Sequence, residues 1–439
     1  MKTLSAVALA AILLCSPAFA AAPADRLSGS YVGTATLDGV PTPFSLEFFR
    51  CGAHSCGRWS LPEYERLRMP FRKVVFDSGT GQLSAAPVSG TIHDGKIEGT
   101  ISSFGGGVFI DAMGFGRKAT FSVSRGHPPK LDARLQVIRF RNGNVTLAGT
   151  LVRPRRGGPY STIVFVHGSG PTIRWYYLAR AVELAELGFA SVIYDKRGCG
   201  ESTGDWTNAS LDDLSRDAVA AVNYAASLPD VDRARIGLWG HSQGGWVVPR
   251  ALALGAPVAF AIVLAGGATP PREVELYGYR RVLDHVGADD KAKMAALQLV
   301  KTYFSYLSGS ISYAAIRAEL DRHGKAPWFK ALGLGRVLPD EGERGNWAWV
   351  ADYDPAEDIS RLRLPLFLGL GGNDEDTPTL QALTRWNADL TRSQALETTV
   401  FVAAKANHHF RLKRGPGWLV ESPAFRSVLY GWLRGIARR

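Results

Sequence analysis

A serine hydroxyl becomes a nucleophile only when a base removes its proton and its oxygen stands clear of the chain. Gly240-His241-Ser242-Gln243-Gly244 meets the second condition. The pentapeptide lies between an apolar run at 235–239 and a stretch of helical period. Glycine on either side lets the chain turn sharply and lets the following helix approach the strand, so Ser242 would sit exposed on a strained turn. The base is expected downstream, because strand–turn–helix serine sites run in the order Ser, acid, His. Asn407-His408-His409-Phe410 follows the last apolar run. His408 comes first after that run and is the candidate, with His409 as the alternative. The acid must hold the imidazole tautomer and stabilise its charged form. Gly371-Gly372-Asn373-Asp374-Glu375-Asp376-Thr377-Pro378 follows a buried run and opens a helix. Asp374 stands just past the strand end. Asp376 is the alternative, and its other role would be to cap the helix that starts near Pro378.

An acyl-transfer intermediate also needs backbone N–H donors for its oxyanion. Gln243 N–H, next to the nucleophile at the helix start, is one candidate. The other lies in His167-Gly168-Ser169-Gly170-Pro171, where glycines permit close approach. Ser169 is named there, with Gly170 as the alternative. Such chemistry proceeds through an acyl-enzyme and calls for no metal and no organic cofactor.

The elements that must position these residues follow from hydrophobic patterning. Residues 27–125 alternate short β-type runs (31–37, 44–49, 73–76, 96–101 and 118–123) with Gly, Asp and Ser, which reads as a small antiparallel β domain. Pro128-Pro129 marks a boundary. A hairpin follows, 135–140 and 145–152 around Asn142-Gly143-Asn144. Continuous apolar runs at 161–166, 189–194, 235–239, 258–264 and 366–370 then alternate with helical patterns at 176–187 and 211–228. Apolar strands alternating with helices imply an α/β fold, a mostly parallel sheet covered on both faces. A helix from Pro378, a strand at 398–402 and a closing helix at 422–436 complete the rhythm. Between 269 and 352 that rhythm stops, and helical period near 291–307 and 313–320 predicts a helical cap insert. Its aromatics, Trp328, Phe329, Trp347 and Trp349, could line an acyl pocket or simply pack a core.

These motifs resemble the α/β-hydrolase superfamily, in particular its secreted branch similar to serine aminopeptidase-like and dienelactone-hydrolase-like proteins with an N-terminal β domain. The resemblance runs from about residue 135 to the C-terminus. It rests on the motifs above, on residues 145–151 with Pro154, and on Tyr194-Asp195-Lys196-Arg197-Gly198-Cys199-Gly200-Glu201-Ser202-Thr203-Gly204. It implies the Ser242, Asp374 and His408 assignment, and a structural role for the Asp-Lys-Arg-Gly loop. Two positions depart from the pattern: Thr377 stands where valine is usual, and Ile173-Arg174-Trp175 where a polar, acidic stretch is usual.

The chain has 439 residues, with Lys+Arg exceeding Asp+Glu by 51 − 40 = 11. The basic residues are scattered apart from short runs such as Arg411 to Arg414, and no nucleic-acid motif accompanies them, so a nucleic-acid partner is not expected. Lys2, an apolar 4–14 region and Ala18-Phe19-Ala20 read as an export signal cleaved after Ala20, giving a periplasmic or extracellular protein. Leu14 before Cys15 is too bulky for a lipoprotein site. The mature chain is expected to have no integral membrane span, and to divide into a β domain (21–128) and a hydrolase domain (129–439). An oxidising compartment favours a Cys51–Cys56 disulfide over a metal site with His54. Cys199 is then a packed free thiol. The leading expectation is hydrolysis of a small-molecule ester. A second is cleavage of short peptides, whose amine would need cap acids such as Glu273, Glu275, Asp340, Glu341 or Glu343. A third is a non-catalytic envelope-associated binding protein in which the β domain does the work.

Overall fold

A computed structural model describes residues 26–37, 39–102, 119–334, 338–393, 397–414 and 418–438. The expected export signal and Cys15 lie outside these. Sequence alternation in the N-terminal part becomes strands β1 (Gly29–Leu37), β2 (Val40–Cys51), β3 (His54–Leu61), β4 (Arg66–Pro70), β5 (Val75–Phe76), β6 (Gln82–Ala85), β7 (Val88–His93), β8 (Lys96–Ile101) and β9 (Ala119–Arg125). They form one antiparallel sheet in the order β4-β3-β2-β1-β9-β8-β7-β6-β5. Alternate residues point inward, as Ala119, Phe121 and Val123 do in β9, and meet Tyr31, Phe44, Leu46 and Trp59 in a separate core. Cys51 and Cys56 are joined as a disulfide at the β2–β3 turn, with Cα atoms 5.8 Å apart.

The second sheet holds β10 (Arg134–Asn142), β11 (Val145–Arg153), β12 (Tyr160–Val166), β13 (Ala190–Tyr194), β14 (Val231–His241), β15 (Phe260–Leu264), β16 (Leu366–Gly371) and β17 (Thr398–Ala403). Its order is β10-β11-β13-β12-β14-β15-β16-β17, and every pairing from β13 through β17 is parallel. The β10–β11 hairpin turns on Gly143 (φ +54°), where a side chain would be strained. Helices α1 (Leu178–Glu186), α2 (Leu211–Ala226) and α3 (Gly244–Ala253) follow successive strands. α2 begins with a capping box between Ser210 and Asp213.

Between β15 and β16 the chain forms α4 (Pro271–His285), α5 (Asp290–Leu307), α6 (Tyr313–His323), α7 (Pro327–Leu332) and α8 (Arg344–Asp352). These pack around their own core of residues such as Leu299, Phe304, Ile316 and Trp328. A short α9 (Ala356–Ser360) leads into β16, and α10 (Thr379–Leu390) joins β16 to β17. The antiparallel pair β18 (Arg411–Arg414) and β19 (Trp418–Glu421) precedes α11 (Pro423–Arg438). α1 and α11 cover one face of the sheet, and α2, α3 and α10 the other. None of the described helices is long and apolar enough to cross a membrane.

One local expectation shifts. The helix expected from residue 176 starts at Leu178. Residues Arg174–Tyr177 form a 3-10 turn instead, because Arg174 is buried and its N–H and guanidinium both bind Asp195. The short basic run Arg411 to Arg414 is a strand whose first residue is buried beside Glu65.

Candidate active site

β14 ends at His241, and Ser242 turns the chain into α3 with φ +57°. A non-glycine residue in the left-handed region is costly, so the fold must hold it there. It does so through the Ser242 N–H, which donates to Leu264 O at 2.9 Å, and Ser242 O, which accepts from Gly245 at 2.7 Å. The flanking glycines are required by space. A Cβ on Gly240 would lie 2.2 Å from Gly244 O, and one on Gly266 would lie 2.6 Å from Ser242 O.

Past β17, His408 is buried, with Nδ1 2.9 Å from each oxygen of Asp374. Asp374 also accepts the N–H groups of Asp376 (2.9 Å) and Thr377 (2.7 Å), so its orientation is fixed from the backbone. Burial opposes charge on His408. Asp374, helped by Asp376 and Glu375, outweighs that and lifts its pKa to about 9. His409, the alternative base, does not reach Asp374. It stacks on His241 with ring centroids 5.0 Å apart, and burial drives its pKa well down. Asp376 does not cap α10. Its Oδ2 is 3.9 Å from His408 Nε2, and its Oδ1 is buried with no hydrogen-bond partner among the described residues. His241, inside the turn, hydrogen-bonds His408 O through Nε2 at 2.9 Å. Burial, then the charge of His408, hold its pKa near 4, so a neutral imidazole ties the two loops together.

Ser242 and His408 line one cavity of about 400 Å³. The Ser242 hydroxyl makes no hydrogen bond among the described residues; such contacts often tighten only once substrate is bound. The loop after β12 lies against the turn: a Cβ on Gly168 would be 3.6 Å from Ser242 Cβ. Ser169 lines this cavity and also a second one of about 290 Å³, which Gly170 and Gln243 share. Neither the Gln243 N–H nor the Ser169 N–H finds an acceptor among the described residues. No group of three or more His, Cys, Asp or Glu among those residues is placed to hold a metal.

The sequence profile of the alpha/beta hydrolase family matches residues 163–421, more than half of the chain. The chain belongs to that family. Among curated relatives, this chain is 40% identical over 207 residues to an uncharacterized 31.7 kDa protein of Escherichia coli from the traX-finO intergenic region, covering 46% of this chain and 68% of that one. It is 34% identical over 110 residues to the quorum-quenching protein AidA of Acinetobacter baumannii, covering 25% and 36%. It is 26% identical over 263 residues to esterase EstD of Thermotoga maritima, covering 58% and 56%. The chain thus spans about a third of AidA and just over half of EstD.

Two features of the hydrolase's cavities carry no motif. One wall of the Ser242 cavity comes from the N-terminal sheet, through Glu65 and Arg66. Glu65 is held by Arg180 and, at 2.9 Å, by Arg411, both from the hydrolase part. No signal in the sequence singled out Glu65, because the residues it meets lie 115 and 346 positions away. The second cavity lies under the cap, lined by Trp347 and Trp349. Trp328 is buried in the cap's core and Phe329 packs beside it. Of the five cap acids, Glu275 lines this second cavity, and burial, with the charge of Asp376, raises its pKa to about 7. Glu273 binds Arg385 at 2.7 Å, Glu341 accepts the Tyr313 N–H, Asp340 accepts the Glu343 N–H, and Glu343 bonds Asn208. Cys199 is buried and unpaired.

Proposed function

We propose that this hydrolase cleaves carboxylic esters of small molecules through an acyl-enzyme on Ser242. One observation carries the reading: His408 Nδ1 is locked on buried Asp374 while the ring faces the cavity that holds Ser242. That lock leaves Nε2 as the site of proton exchange. His408 takes the hydroxyl proton as Ser242 Oγ bonds to the acyl carbon. The tetrahedral oxyanion is met by the N–H groups of Gln243 and Ser169. As the C–O bond breaks, His408 returns the proton to the leaving alcohol. Water then repeats the sequence and frees the acid. The name of EstD supports ester chemistry among the relatives. The disulfide between Cys51 and Cys56 supports export by the 1–20 signal into an oxidising compartment.

Labelling with a fluorophosphonate tests the nucleophile. Wild type is expected to react and to hydrolyse p-nitrophenyl esters, and Ser242→Ala to do neither; equal labelling of both would refute the assignment. One observation favours peptides as a second reading: Glu275 faces a cavity with no partner of its own among the described residues. Faster turnover of aminoacyl anilides than of p-nitrophenyl esters would decide for it.

A further inference from the structure

Asp195, Lys196 and Arg197 leave β13 in succession, all buried, and each holds a different element. Asp195 binds Arg174, and Arg197 grips Asp217 of α2 through two contacts of 2.7 and 2.9 Å. Lys196 is different, because no carboxylate pairs with it among the described residues. Its Nζ donates to Gly168 O at 2.9 Å, Gly170 O at 3.2 Å and Gln243 Oε1 at 2.8 Å, so all three protons go to neutral dipoles.

Burying an ammonium without a counter-charge is expensive. Burial brings its pKa down to about 8, with Cys199 and Asp217 opposing. The side chain is only 2% exposed. A packed apolar residue would fill the space at lower cost, so the cation must serve something that dipoles around it need. Its three acceptors come from two segments only: the loop that carries Ser169, and Gln243. Those are the two segments whose N–H groups await an oxyanion.

We propose that Lys196 is a positioning residue that assembles the oxyanion hole, clamping the 168–170 loop to Gln243 so that the Ser169 and Gln243 N–H groups converge. The inference rests on the serine-hydrolase reading above. Because the oxyanion exists only in the intermediate and its flanking transition states, the clamp acts on kcat and leaves ground-state binding alone.

Lys196→Met keeps an unbranched apolar stem one atom shorter than lysine and removes all three donors. It is expected to lower kcat on p-nitrophenyl esters by about 10–100-fold, somewhat less than outright loss of an oxyanion donor. KM should stay within about twofold. Inhibition by a trifluoromethyl ketone, which forms a tetrahedral adduct with an oxyanion, should weaken by the same factor as kcat/KM. A folded variant with kcat and ketone affinity near wild type would overturn the proposal. Gln243→Leu serves if Lys196→Met does not fold. It deletes one acceptor of the clamp, keeps the backbone N–H, and should reduce kcat and ketone affinity together; unchanged values would again overturn it. Wild-type protein that neither turns over esters nor takes the fluorophosphonate would instead remove the serine-hydrolase reading itself.

Discussion

His408 has a carboxylate on each side of its ring, Asp374 at Nδ1 and Asp376 3.9 Å from Nε2. Burial favours the neutral ring, but the acids outweigh it and the pKa rises to about 9. In the mechanism proposed above His408 acts as a base only when neutral, and with a pKa raised to about 9 it would be mostly in the wrong protonation state for attack below that pH. kcat/KM for a neutral ester should therefore climb with pH and level off only around 9. Asp376→Asn removes one of the charges that stabilise the imidazolium, which lowers the pKa and moves the climb toward neutral pH. A profile identical to wild type would show that Asp376 does not act on His408. Asp374→Asn should behave differently, because it also loses the acceptor that fixes the tautomer. On the proposed mechanism, kcat should fall by about 10⁴-fold without loss of fold, as in established serine triads.

The turn between β14 and α3 shows what an element needs from its glycines. Gly240 faces Gly244 O so closely that a Cβ would stand 2.2 Å from it and 2.6 Å from Gly244 C, backbone that cannot swing aside, with Val248 Cγ2 at 2.7 Å. Gly240→Ala should push the helix from the strand, cost about 1–3 kcal/mol as an overpacked site, and abolish fluorophosphonate labelling. Gly431, in the middle of α11, has nothing within 4 Å of a Cβ and is exposed. Gly431→Ala should raise stability by about 0.5–1 kcal/mol and leave activity unchanged. Thermal unfolding of the two variants checks both signs. This turn was legible in the sequence because its chemistry is local: an apolar parallel strand, then glycines, then helical period. The strands buried on both faces were legible for the same reason. The start of α1 was not, since the 3-10 turn at Arg174 is imposed by Asp195, 21 positions away. β18 was hidden too, because arginines on a strand read as a solvated run when the acids that neutralise them are distant.

The whole molecule depends on such distant acids. The N-terminal sheet reaches the hydrolase through Glu65, placed by a 3-10 turn at Pro62–Tyr64 and held at φ +55°. Apolar contacts accompany it: Leu67 packs on the hydrolase core, and Ile173 and Trp175 on the core of the sheet. Sequence patterning separated these two parts but could not show that they share a cavity, because charges spaced along a chain carry no record of their partners. Burial raises the cost of ionising Glu65, yet Arg180 and Arg411 outweigh it and hold its pKa near 2, against an ordinary value of 4.5. A depressed carboxyl pKa stabilises the fold above the ordinary value and loses that contribution as pH falls toward the depressed one. Glu65→Gln should thus destabilise the protein by about 1.5–3 kcal/mol at pH 7, the range for hydrogen bonds to charged groups. The gap to wild type should narrow steadily below pH 4.5. Urea unfolding of both proteins at pH 7 and pH 3 measures it. A gap that stays constant would mean that Glu65 holds the two parts together by shape, and that Arg180 behind it is neutralised by Glu421 and Glu183.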